Sequence, residues 1–133
     1  TLDRLGLKSA LKIMAKDFGK REQIDYHISI SDKIPVLSDE ENIHLYRIVQ
    51  EALTNIAKYA EATHVSIDLD SDHSTLTLQI SDNGRGFSEQ AQSGLGLMGM
   101  RERAELIHGT VEIESNLGKG VKITVNVPIV ESE

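Results

Sequence analysis

Cysteine is absent from the 133 residues, which removes disulfides and thiolate metal sites and leaves a reducing compartment compatible. No apolar run approaches the roughly 20 residues that cross a bilayer, and no segment has the make-up of a signal peptide. Positive charge is short: 14 Lys and Arg stand against 21 Asp and Glu, a formal charge of −7. That balance argues against general nucleic-acid binding, so an anionic ligand would have to be received by local features. Internal repeats, low-complexity stretches and interior linkers are missing as well. The length fits one domain with a core of its own. An initiating Met is also lacking; the chain opens at Thr1 and reads as a piece of a longer protein, about whose membrane segments it says nothing.

What is present centres on Ser38 to Ala60. Ser38 and Glu41 have the S-x-x-E spacing of a capping box, which satisfies free N–H groups at a helix start. Asp39, Glu40 and Glu41 put negative charge in the first turn, the favourable sign for the helix dipole. With side chains about 100° apart, Leu45, Val49, Ala52, Leu53, Ile56 and Ala60 fall on one core-facing stripe. Glu51, Asn55, Lys58 and Tyr59 gather on the opposite side. A solvated face is the ordinary account of such a set. An acid, a neutral oxygen ligand and a point cation within two turns could also serve a water or hydroxyl, a Mg²⁺ ion and a phosphate.

Along the rest of the chain, residues 2–18 have apolar side chains at helix spacing, with Gly6 as an expected break. They read as the domain's first helix, a connector from a preceding helical region, or both. Ile24, Tyr26, Ile28 and Ile30 alternate as a strand. Val65, Ile67 and Leu69, then Leu76, Leu78 and Ile80, give two strands about a turn at residues 71–74. Residues 88–93 read as a loop. A helix follows the glycines at 94, 96 and 99 and runs to about Ile107, with Gly109 near its C-cap. Val111 and Ile113 mark a strand, residues 116–120 a turn, and Val121 to Val127 a final strand. The order α–β–α–β–β–α–β–β predicts an α+β fold, with helices layered on one mostly antiparallel sheet.

Two glycine segments ask for a ligand. Asp82-Asn83-Gly84-Arg85-Gly86-Phe87 sits where a strand ends. D-N-G alone is an ordinary strand-exit turn; two glycines and Phe87 are less ordinary. A carboxylate at the base of a pocket can accept the exocyclic amino hydrogens of adenine, whereas guanine would set an oxygen against it. Gly94-x-Gly-x-x-Gly99 follows a polar loop rather than a strand, so a dinucleotide-binding reading fails. What survives is a flexible segment opening onto a helix N-terminus suited to phosphate. The five histidines, His27, His44, His64, His73 and His108, have no metal-ligand spacing and read as structural or solvent-exposed. No Ser-His-Asp set can be argued.

Together, QEALTNIAKYA (residues 50–60) resembles the N-box of histidine-kinase ATP-binding domains, DNGRGF (82–87) their G1 box and GLGLMGMRER (94–103) their G2 box. The sensor kinases of the nitrate-sensor type, which partner helix-turn-helix response regulators, are most similar. LDRLGLKSAL, LYRIVQEALTN and GLMGMRERAELIHG look like signatures of that group. The resemblance implies the two-layer Bergerat ATP-binding sandwich, with the catalytic domain in residues 21–133 and a helical lead-in and first helix in 1–20. By the same resemblance Asn55 would hold Mg²⁺, Lys58 contact phosphate, and Glu51 act as base or polarise the attacking group. Asp82 would bind the adenine amino group, and Gly84 and Gly86 would let the backbone approach the base. Tyr59 would make a base-side contact. Residues 88–98 would form the ATP lid, bringing Gly94, Leu95, Gly96 and Leu97 near the phosphates. Tyr59 stands where this group often has His, and Val121 where many relatives have Thr.

The implied function is to bind Mg·ATP and donate its γ-phosphoryl group to a histidine of a separate dimerisation domain, serving a response regulator indirectly. That acceptor is expected outside this sequence. The piece itself is expected to be monomeric and cytoplasmic, with no nucleic-acid partner. Two alternatives stay open: a free-standing kinase of the anti-sigma-factor type, and a nucleotide-free module that keeps the fold for protein contacts.

Overall fold

The computed structural model describes residues 4–86, 97–116 and 118–129. Helix α1 (Arg4–Glu22) leads into strand β1 (Asp25–Ile30), then helix α2 (Asp39–Asn55), which continues as a π-helical turn (Ile56–Ala60). Strands β2 (His64–Ser71) and β3 (Thr75–Asp82) form a hairpin, and helix α3 (Leu97–Leu106) precedes the hairpin of β4 (Thr110–Asn116) and β5 (Gly120–Pro128).

The five strands make one sheet in the order β1-β2-β3-β5-β4. Only β1 and β2 run parallel, joined by way of α2, while the other neighbours are antiparallel. The expected alternation is what β2, β3 and β5 display, whereas in β1 Tyr26 is exposed and only Ile28 and Ile30 are half-buried. Val65, Ile67 and Leu69 of β2, Leu76, Leu78 and Ile80 of β3, and Ile123, Val125 and Val127 of β5 are all buried. Their register is fixed by that pattern, since a one-residue slip would turn each set to the opposite face. Ile80, for example, pairs with both Ile67 and Ile123. A helical layer shares this core through Leu7, Leu11, Ala15 and Phe18 of α1, Leu45, Ile48, Val49, Ala52 and Leu53 of α2, and Leu97, Met100 and Ala104 of α3. The result is the α+β sandwich, with its mixed sheet, that the element order predicts.

Four local features refine the reading of the sequence. Gly6 sits in the first turn of α1 and does not interrupt it; a glycine costs at most about 1 kcal/mol in a helix, and burial of the Leu7, Leu11, Ala15 and Phe18 stripe outweighs it. The capping box forms: Glu41 N–H donates to Ser38 Oγ at 3.0 Å, and Ser38 N–H to Glu41 Oε1 at 2.9 Å. The helix expected to run unbroken to Ala60 instead widens into the π turn at Ile56, and its final carbonyls are met by a residue from another part of the chain. After α3, His108 takes the left-handed conformation expected of Gly109, with φ 62°. Gly109 instead lies where a side chain would press on the Asn126 carbonyl of β5.

Candidate functional site

A slot opens where the end of α2, the π turn, the end of β3, the start of β5 and the first residue of α3 meet. It is lined by Ala52, Asn55, Ile56, Tyr59 and Ala60, by Ile80, Asp82 and Gly86, and by Leu97, Val121 and Ile123. With its open mouth it encloses about 440 Å³ of space. Most of the lining is aliphatic, and Asp82, Asn55 and Tyr59 are the side chains that bring polar atoms to it. A planar apolar group with one hydrogen-bonding edge suits such a slot.

Asp82 is the last residue of β3, opposite Val65 of β2 and one step beyond the Ser81–Lys122 pair with β5. That register brings the start of β5 to its carboxylate. Gly84 N–H donates to Asp82 Oδ1 at 2.7 Å, and Val121 N–H also donates to the carboxylate. Burial nevertheless pushes the Asp82 carboxyl above its ordinary value of 3.8, and the two N–H groups oppose the rise without cancelling it. The floor beneath it is tight. A Cβ at Gly120, where φ is 85°, would collide with the Asp82 carbonyl, and one at buried Gly84 would collide with the Ala60 carbonyl.

The loop after Asp82 is tied down by its own polar residues. Asn83 Oδ1 accepts from Thr63 N–H and His64 N–H, both at 2.9 Å. Its Nδ2 donates to Thr63 Oγ1 at 2.9 Å. Arg85 N–H donates to the Ala60 carbonyl at 2.7 Å and Arg85 Nε to the Tyr59 carbonyl at 2.7 Å.

Of the residues expected at the site, Asn55, Tyr59, Asp82, Gly86 and Leu97 come together around the slot. Glu51 and Asn55 are half-buried one helical turn apart, while Lys58 is exposed and Tyr59 is 40% exposed on the π turn. Glu51 and Lys58 share this helical run without lining the slot. Gly84 lies behind the wall, where its missing side chain admits the Ala60 carbonyl. Gly94, Leu95 and Gly96, like most of the expected lid, fall outside the described residues. Gly120 and the clamps made by Asn83 and Arg85 carried no role in the sequence reading. The D-N-G-R-G spacing hints at a turn, but nothing local announces which carbonyl each side chain reaches. None of the five histidines lines the slot. His44, half-buried, lies 3.4 Å from Arg103, and His64 pairs with Asp25 at 3.5 Å.

Residues 40–131 match the family described as histidine kinase-, DNA gyrase B-, and HSP90-like ATPases. The chain belongs to this family. It is also 38% identical over 136 residues to the oxygen sensor histidine kinase NreB of Staphylococcus carnosus (strain TM300), an alignment covering 98% of this chain and 39% of that protein. The chain thus spans about two fifths of the length of that curated relative. Among solved structures it is similar to the histidine kinase domain of the Erythrobacter litoralis EL346 blue-light activated histidine kinase. There the TM-score is 0.79 at 18% identity, over 92% of this chain and 60% of that one. The Acinetobacter baumannii histidine kinase AdeS gives a TM-score of 0.76 at 15% identity, over 98% of this chain and 66% of that one. At such identities these two speak for the fold alone. The sensor-histidine-kinase ATP-binding domain that the three boxes resemble is the domain to which the family match and the 38% relative point, and ATP is the nucleotide this ATPase family binds. Among the described residues, no helix is long and apolar enough to cross a membrane.

Proposed function

We propose that this domain holds Mg·ATP in the slot and presents its γ-phosphoryl group to a histidine on a separate dimerisation domain of the same parent kinase, upstream of a response regulator. The observation that carries the proposal is the pairing of a half-buried Asp82 carboxylate in an aliphatic slot with Asn55 on the slot's helical wall. Asp82 accepts the adenine amino group, and Ala52, Ile56, Ile80 and Ile123 pack the faces of the ring. Gly86 permits close approach, with φ 68° at the slot edge, and Tyr59 covers the base side. Gly84 acts indirectly, by seating the loop.

The amide oxygen of Asn55 suits Mg²⁺, which takes oxygen ligands and retains several waters. Among the described residues no three His, Asp or Glu converge as a cage, so such an ion would draw its remaining ligands from phosphate and water. Bound there, Mg²⁺ supplies neutralisation of phosphate charge. Glu51, one turn before Asn55, is set to polarise the attacking imidazole, and Lys58 to meet phosphate once a nucleotide fills the slot. Gly94, Leu95, Gly96 and Leu97 would bring backbone N–H groups to the phosphates at the start of α3. Phosphoryl transfer is chiefly positioning and charge neutralisation, so these few groups suffice. The boundary near residue 20, a cytoplasmic location and a monomeric piece without nucleic-acid contacts belong to the same proposal.

The test is Asn55→Ala followed by calorimetry with ATP in the presence and absence of Mg²⁺. Loss of the Mg²⁺-dependent part of the affinity, with the fold unchanged by circular dichroism, is expected. Equal Mg²⁺-dependent affinity in the two proteins would overturn the assignment.

A further inference from the structure

The two ends of the nucleotide slot are joined by a residue that does not face it. Tyr59 and Ala60 close the helical run that starts at Asp39, and the last carbonyls of a helix have no partner within it. Both are met by Arg85. Its N–H donates to the Ala60 carbonyl and its Nε to the Tyr59 carbonyl, each at 2.7 Å. Its own carbonyl accepts from Gly118 N–H, in the β4–β5 turn, at 2.5 Å. Arg85 is exposed and does not line the slot, yet its neighbours on both sides do: Asp82 and Gly86 in its own loop, Tyr59 and Ala60 across the gap. Its cation also sits at a helix C-terminus, the end that favours positive charge.

The helical run leaves α geometry only over Ile56–Ala60. A π turn is a rare widening, frequent at functional sites. Here it carries Lys58 and Tyr59, and its last two carbonyls are the ones Arg85 holds. Resting on the proposed ATP site, we infer that Arg85 is a positioning residue. Its guanidinium fixes the π turn against the loop after β3, and so sets Lys58 and Tyr59 relative to the Asp82 end of the slot. Arginine suits this role because a planar, permanently charged donor loses little freedom in reaching one carbonyl.

Arg85→Met keeps the aliphatic stem and both backbone bonds and removes only the donor. It is expected to weaken Mg·ATP binding by on the order of tenfold, because a π turn no longer held by the guanidinium occupies its binding-competent arrangement only a fraction of the time. Three further readouts separate positioning from general support. Thermal unfolding without nucleotide should be nearly unchanged. In a Lys58→Ala, Tyr59→Ala background the Arg85→Met penalty should largely vanish, because the side chains it positions are gone. Arg85→Lys, which can still donate to the Tyr59 carbonyl, should recover part of the affinity. Unchanged affinity in Arg85→Met, a penalty that adds in full to the double truncation, or an Arg85→Met chain that fails to fold would each overturn the inference while leaving the ATP site standing. If the unmutated chain binds no Mg·ATP, the proposed function falls and this inference with it.

Discussion

Asp82 answers two opposed demands. Burial disfavours its charge, while the N–H groups of Gly84 and Val121 favour it, and burial prevails. In the folded chain the carboxyl therefore keeps its proton to higher pH than in the unfolded chain. The contribution of Asp82 to stability is fullest below the ordinary value of 3.8, falls as pH rises through the raised value, and is flat above it. Asp82→Asn has no such titration. Urea midpoints of the two proteins, compared from pH 3.8 up to neutrality, should show the unmutated chain losing ground to the variant as pH rises. A gap that stays constant would mean that the carboxyl is not perturbed. The same residue should choose the base. Guanine would set an oxygen against the carboxylate, and an unmet buried acceptor costs about 1–3 kcal/mol, on the order of tenfold to a hundredfold in affinity. ATP should thus outcompete GTP for the unmutated chain and do so less for Asp82→Asn. Equal competition by GTP for a labelled ATP analogue would contradict the base-pocket reading.

Helix α2 shows which parts of an element can be read from its own sequence. Its start was legible because both bonds of the capping box link residues three apart, Ser38 and Glu41. Ser38→Ala should cost about 1 kcal/mol of stability, within the range for lost N-caps. Denaturant unfolding checks this, with Mg·ATP affinity expected to hold because Ser38 lies far along the helix from Asn55. A variant as stable as the parent would show that the box adds nothing here. The end of the helix was not legible. The π turn depends on where the Tyr59 and Ala60 carbonyls find donors, and Arg85 lies 26 residues beyond Tyr59. Gly6 misled in the opposite direction, because propensity is local while the α1 stripe is held by distant core residues. Likewise His108 rather than Gly109 turns left-handed, since closeness to β5 and not backbone freedom fixes the glycine.

For the whole molecule, order and type of elements were plain from alternation and helical spacing, and the three motif boxes led to the family. The slot itself was hidden. Ala52, Ile56, Ile80 and Ile123 read as core from their pattern, and they are both core and wall. Nothing in a hydrophobic stripe separates a face packed on protein from one packed on a ligand. The assembled molecule also bears on self-modification, because none of the five histidines lines the slot. Incubated alone with γ-labelled ATP, this chain should gain no acid-labile, alkali-stable label. Adding the parent's dimerisation domain in trans should restore transfer weakly, since tethering normally supplies a high effective concentration. Label on the chain alone would mean that one of His27, His44, His64, His73 or His108 reaches the phosphate, contrary to the proposed division of labour.

The strand order has a consequence for the chain as the ribosome delivers it. β5, the last strand described, lies between β3 and β4. Until it emerges, β3 offers a bare edge to any passing strand and β4 has no neighbour to pair with. The nascent chain must wait in that state, the kind of interval in which unpaired edges recruit chaperones or each other. At the proposed site, nucleotide would give no early relief. Val121 and Ile123 belong to β5, and Gly120 seats the Asp82 carbonyl, so a translation product stalled before residue 120 should be sticky and unable to bind ATP.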